Sequence, residues 1–334
     1  MRPPLRLPLL VVLAGCAPTT APESTGPAEP SVAATEPSPV ADEFGPWTAP
    51  LAVDHPLVGT AWSTVDGAAL SRTELEARVR AARHVLLGEI HDHPDHHRLQ
   101  GEMLAVLAAA HPDMVVAYEM LDPAMQPAID EFVAAASHDV DGFAELVAWA
   151  ESGWPEWALY RPAFAPVIAA DLSIVAAQFP RSQTKRFMSE GLAILAPELV
   201  TRYGLDQPLP PELLEPQLDE MFASHCEMVP REHLAPMVEI QRIRDAVMAE
   251  ALVQGAAAHG HAALVAGTGH TRASGVPRLL AQVGEAPAST LSVGFVTVDP
   301  ERLDPRDYRQ DFDVIVWTPD VAREDPCSDL AAKP

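Results

Sequence analysis

The chain has 334 residues, 48% hydrophobic and 21% charged, which is enough to build a sizeable core and excludes global disorder. Its formal charge is −25, from 22 Lys and Arg against 47 Asp and Glu, which argues against nucleic acid as a partner and against electrostatic docking on an acidic membrane surface. Three cysteines with no Cys-x-x-Cys pair exclude a disulfide-built scaffold and a thiolate zinc site.

Residues 1–15 read as a short secretory signal, with Arg2 and Arg6 before the apolar stretch Leu7 to Ala14. The stretch ends in Leu13-Ala14-Gly15-Cys16, a lipobox pattern that makes Cys16 the point of lipid attachment. A diacylated Cys16 meets the two-chain requirement for stable anchoring. Ala17 follows, with no aspartate to suggest inner-membrane retention, so an exported bacterial lipoprotein on the outer membrane is favoured. Residues 16–56 read as the lipidated cysteine and an extended, disordered Pro/Ala/Glu-rich tether. The folded part is expected over 57–325 as a single domain, with a tail at 326–334. The remaining cysteines, Cys226 and Cys327, are candidates for a disulfide in an exported protein, and the sequence does not say whether they lie within reach.

From residue 57 short apolar runs alternate with helical patterns. Strands are expected at 84–88, 114–118, 172–177, 262–266, 291–298 and 314–317. Each run is continuous rather than alternating, as in strands covered on both faces. Helices are expected at 72–82, 95–110, 123–135, 141–150, 161–170, 183–196, 212–223, 231–257 and 275–283. The fold class is therefore α/β, a mostly parallel sheet flanked by helices, with a helical insertion or cap over about 181–260.

In such sheets ligands gather beyond the carboxyl ends of the strands. The first apolar strand runs into Gly88-Glu89-Ile90-His91-Asp92-His93-Pro94-Asp95-His96-His97, four histidines and three carboxylates between Glu89 and His97. The second ends at Glu119, and the strand near 262–266 ends at Gly267-Thr268-Gly269-His270. Two Gly-x-x-His turns at the ends of buried strands would aim both imidazoles over one sheet edge. Glu89, His91, Glu119 and His270 form the candidate catalytic set; His91, Glu119, His270 and His96 form the candidate set for a divalent first-row metal. His96 and His97 are as readily solvated helix-start residues. His84, His111, His138, His259 and His261 read as structural or solvated. Along the helix at 231–257, Gln241, Asp245 and Met248 line up beside a core stripe and face either solvent or the site; His225 precedes this helix and could reach the same rim. Gly153-Trp154-Pro155-Glu156-Trp157-Ala158-Leu159-Tyr160-Arg161-Pro162 places flat aromatic groups in a proline-punctuated loop, as pocket lining or as a packing plug.

These residues resemble the ChaN-type haem-binding lipoproteins, of the wider superfamily that includes the Tiki/TraB proteins and the erythromycin esterases. The matching pieces are Leu87-Gly88-Glu89-Ile90-His91-Asp92 with His96-His97-Arg98-Leu99-Gln100, then Tyr118-Glu119-Met120, Gly153-Trp154, Tyr160-Arg161-Pro162 and Glu190-Gly191-Leu192-Ala193-Ile194-Leu195. They continue through Gln241, Arg244, Asp245, Met248 and Ala249 to Gly267-Thr268-Gly269-His270 and Gly275-Val276-Pro277. Gln178-Phe179-Pro180-Arg181 departs from the family's usual Asn-x-Pro-Arg. The resemblance implies a membrane-anchored α/β protein that binds haem or an iron-containing ligand and serves iron uptake, with a homodimer as an allowed assembly. Tyr160 is then the candidate axial ligand, with Trp154, His225, Gln241 and Asp245 as further cofactor-binding candidates. The superfamily equally implies a metal-dependent or His/Glu-based hydrolase at Glu89, His91, Glu119 and His270. No Gly-x-Ser-x-Gly elbow supports a serine mechanism.

Overall fold

The apolar runs become strands buried on both faces. In the computed structural model, which describes residues 43–324 and Cys327, the strands are β1 (Ala61–Ser63), β2 (Ala68–Leu70), β3 (His84–Glu89), β4 (Val115–Tyr118), β5 (Ser173–Ala176), β6 (Ala262–Gly267), β7 (Thr290–Thr297) and β8 (Val314–Thr318). They form one sheet of order β2-β1-β8-β7-β3-β6-β4-β5. Strands β8 through β5 are mutually parallel, and β1 and β2 are antiparallel additions at one edge. Sequence reasoning missed β1 and β2, because each is only three residues long, too short to show a run.

Two layers of helices cover the sheet. On one face the helices Arg72–Ala81, Pro94–Ala110 and Trp157–Ala169 supply Leu75, Leu104 and Phe164 to the larger core cluster. On the other, Ala235–His259 and Val276–Gln282 supply Ile243, Leu252 and Leu279. Between residues 181 and 260 only helices occur: Arg181–Glu190, Pro197–Arg202, Pro211–Ser224, Ala235–His259 and two short 3-10 turns. None of the helices among the described residues is long and apolar enough to cross a membrane.

At the domain's edges one expectation changes and one open question is answered. Residues 43–56, placed in the tether by their prolines, pack on the domain. Phe44 is buried in the main core, and the carboxylate of Asp95 accepts the backbone N–H groups of Thr48 and Ala49 at 2.9–3.0 Å. The indole of Trp47 lies under the Arg98 guanidinium. At the other end Cys226 and Cys327 are joined in a disulfide, with Cα atoms 5.4 Å apart and 101 residues apart in sequence. In a chain-entropy account a loop of that length restrains the unfolded chain by about 4–5 kcal/mol. The signal, Cys16 and the tether as far as residue 42 lie outside the described residues.

Register carries the fold to its site. The β3–β6 pairing sets Glu89 opposite Gly267, and Glu119 follows β4 with its N–H on Val265 O. Three strand ends therefore deliver Glu89, Glu119 and Gly267 to one rim.

Candidate functional site

Both imidazoles of the Gly-x-x-His turns reach this rim, and both line one cleft of about 350 Å³. Glu119, Trp154, Phe179, Gln241 and Met248 share its walls. The turns meet closely: a Cβ on Gly267 would stand 3.0 Å from His91 Cε1 and 3.2 Å from its Nε2, so the imidazole would have to shift. Likewise a Cβ on Gly88 would strike the Thr271 side chain.

The two histidines are held differently. His91 Nδ1 lies 2.6 Å from Glu89 Oε1, and its side chain is 42% exposed, whereas the Glu89 side chain is fully buried. Burial pulls the imidazole's pKa down, but the hydrogen bond and charge of Glu89 outweigh it, so the net shift is upward. With Nδ1–H donated to Glu89, Nε2 is the nitrogen left for a ligand. Trp154 packs edge-on against the ring, centroids 4.9 Å apart. The backbone behind His91 is pinned as well, because its carbonyl lies 3.1 Å from His97 Nε2.

His270 is buried and flanked on both sides. Its Nδ1 donates to Asp245 Oδ1 at 2.6 Å, and its Nε2 faces Glu119 Oε1 at 3.4 Å. Burial opposes the charged form, but Glu119 and the hydrogen bond to Asp245 overcome it and raise the imidazole to about 10. Burial pushes Glu119 up too, but the His270 charge, His91 and the Gly267 N–H at 2.9 Å bring it down to about 2. For Asp245 burial prevails and the shift is upward, only partly offset by His270. The stable arrangement is an imidazolium clamped between two acids.

That clamp corrects the metal set. Both nitrogens of His270 are already engaged by Asp245 and Glu119, and among the described residues no group of three or more His, Cys, Asp or Glu is placed to hold a metal ion.

Other candidates are redirected. His96 is fully buried, with Nδ1 accepting the Ile90 N–H at 3.0 Å and Nε2 on Thr318 Oγ1 at 2.9 Å, and it stacks on His93. Burial holds it well below the ordinary histidine value, as a neutral core residue. The helix Trp157–Ala169 begins four residues earlier than its prolines suggested, so Tyr160 joins Ala163, Phe164 and Val167 on its buried face. The Tyr160 hydroxyl points at Glu89 Oε1 (3.5 Å) and His91 Nδ1 (3.4 Å) from behind the cleft, and burial together with the Glu89 charge pushes the phenol far above its ordinary value. A phenolate iron ligand does not fit that position. His225 turns back onto Met221 O at 2.8 Å and is not part of the cleft wall. Trp154 and Gln241 do line the cleft, while Asp245 acts through His270. The cleft also takes in Arg181 and Arg244, which the charge pattern left unmarked because arginines are spread through the whole chain.

A family model described as haem-binding uptake, Tiki superfamily, ChaN, matches residues 75–280. Among solved structures, that of cofacial haem binding to ChaN of Campylobacter jejuni is similar with a TM-score of 0.58 and 23% identity, covering 77% of this chain and 95% of that one. At that identity the likeness speaks for the fold. The type III effector HopBA1 is a weaker match, with a TM-score of 0.40 and 15% identity over 74% of this chain and 92% of that one, too weak to carry an argument. No curated protein matches the chain significantly.

Proposed function

The chain belongs to the ChaN family of haem-binding uptake proteins in the Tiki superfamily, and from that premise we propose that it captures haem in this cleft with His91 Nε2 as the axial ligand. The observation that carries the reading is the Glu89–His91 pair. A histidine that ligates metal almost always donates its other ring N–H to a carboxylate or carbonyl, which fixes the tautomer and raises basicity. His91 has that arrangement, 2.6 Å from a fully buried carboxylate and partly open to the cleft. Trp154, Phe179 and Met248 supply the apolar surface that a macrocycle needs. Haem would supply a ferric centre that accepts the imidazole lone pair.

A cleft of about 350 Å³ holds part of a porphyrin and leaves the rest to solvent or to a second copy of the chain. Cofacial haem binding, found in the Campylobacter jejuni relative, suits a homodimer that brings two such clefts together. Acylation at Cys16 would hold the protein at the outer membrane as a capture step in iron uptake.

Titration of the purified protein with haemin, followed by the Soret band, tests the reading. His91→Ala should lower affinity at least as much as the roughly 10–100-fold seen for outer-shell partners of metal ligands. Unchanged affinity would move the axial ligand elsewhere. No haemin binding by wild-type protein at micromolar concentration would end the haem reading. Membrane release of Cys16→Ser tests the anchor separately.

A further inference from the structure

In a chain so rich in acids, nearly every arginine has a carboxylate partner. Among the described residues only Arg181, Arg244 and Arg278 lack an ion pair. Arg278 donates to Ser274 O and Gln282 Oε1, away from the cleft. The other two stand in the wall of the same cleft.

Neither is neutralised by an acid, and Arg181 is exposed at the cleft's edge. Arg244, from the Ala235–His259 helix, donates to Gln241 Oε1 at 3.0 Å, a neutral partner one turn back. Arg181, at the start of the Arg181–Glu190 helix, lies against Gly153: a Cβ there would stand 3.3 and 3.4 Å from its two terminal nitrogens. Gly153 also adopts φ +82°, which side chains rarely tolerate. The turn that presents Trp154 thus leaves room for the guanidinium.

A net charge of −25 repels an anionic ligand at long range. Two unneutralised guanidiniums in one concavity reverse that sign locally, and their forked donors match carboxylates bidentately. We propose that Arg181 and Arg244 form a carboxylate-recognition wall, so that the cleft selects planar macrocycles by their free propionates as well as by iron. This rests on the haem reading of the same cleft. It adds that the ligand class is a tetrapyrrole dicarboxylate, and that blocking the acids should matter even with iron present.

The test titrates the purified full chain with haemin, iron-free protoporphyrin IX and haemin dimethyl ester. Charge-assisted hydrogen bonds of this kind correspond to about tenfold or more in affinity. Wild-type protein should bind the diester at least about tenfold more weakly than haemin, and added salt should weaken haemin but not the diester. Arg181→Gln with Arg244→Gln should weaken haemin and protoporphyrin about tenfold or more, while the diester changes by less than about threefold. Arg181→Lys with Arg244→Lys should recover part of the loss. The proposal is overturned if wild type binds diester and haemin equally, a comparison that needs no variant, or if the glutamine pair weakens both alike. Either result leaves haem binding standing. Absence of haemin binding by the wild type removes the haem reading, and this inference with it.

Discussion

The turns Gly88-Glu89-Ile90-His91 and Gly267-Thr268-Gly269-His270 share one pattern, leave adjacent parallel strands and end on the same cleft. Yet one histidine is half-exposed with a single carboxylate behind it, and the other is buried with an acid on each nitrogen. The difference comes from what lies beyond the turn. His91 sits beneath Trp154 at an open wall, whereas His270 faces Asp245 on the long helix that covers the other side of the sheet. A shared motif thus yields a ligand-ready imidazole in one place and a structural cation in the other.

The largest expected effect strikes the buried clamp. His270→Ala leaves Glu119 and Asp245 buried without their cation and should cost about 3–5 kcal/mol of stability, read from the denaturant midpoint. His91→Ala should cost far less than that, since its ring is partly in solvent. Equal losses would erase the distinction between the two turns.

The pH profile of the clamp follows next. Glu119 falls from an ordinary 4.5 to about 2, so its contribution is full above 4.5 and is lost as pH falls toward 2. His270 rises from 6.5 to about 10, so its contribution is full below 6.5 and is lost as pH rises through 10. The stability gap between wild type and His270→Gln should be widest near pH 4.5–6.5 and narrow on both sides. A gap that stays flat from pH 7 to 10 would mean that the buried ring is neutral in the fold.

At the exposed turn, Glu89→Gln keeps the shape and removes the charge that supports His91. Haemin affinity should fall by about 10–100-fold, with little change in the apo fold. Affinity as in the wild type would detach Glu89 from the ligand. The smallest effect belongs to Tyr160→Phe. Losing a hydroxyl with long contacts to Glu89 and His91 should cost about 0.5–1.5 kcal/mol or less, and the ferric spectrum should keep its form. A marked spectral change would restore the phenol as an iron ligand.

Much of the site was readable along the chain. Glu89, His91, Glu119 and His270 stood at strand ends, where strands buried on both faces place their ligands, and the structure gathers all of them at one rim. The histidine run was less readable. His93, His96 and His97 share a polar stretch, but the helix that starts at Pro94 turns all of them into the interior. A one-dimensional pattern does not show that Thr318, Pro319 and Gln100 stand ready to satisfy their nitrogens. Tyr160 was misplaced for a related reason: Pro155 and Pro162 mark the segment as a loop, but the helix starts at Trp157 and accommodates Pro162.

By itself the sequence determined the α/β class, the strands of the parallel core, the helical cap and the two turns, because continuous apolar runs and glycine-bounded polar ends are local properties of the chain. It also carried the family resemblance, through short motifs kept in order. Only the tertiary structure decided which histidine is open and which is clamped. It alone docked residues 43–56 onto Asp95, closed the Cys226–Cys327 bridge and left Arg181 and Arg244 without acids. Charge state, exposure and pairing depend on neighbours tens to hundreds of residues away, and so become definite only when the sheet and its two helical layers bring those neighbours together.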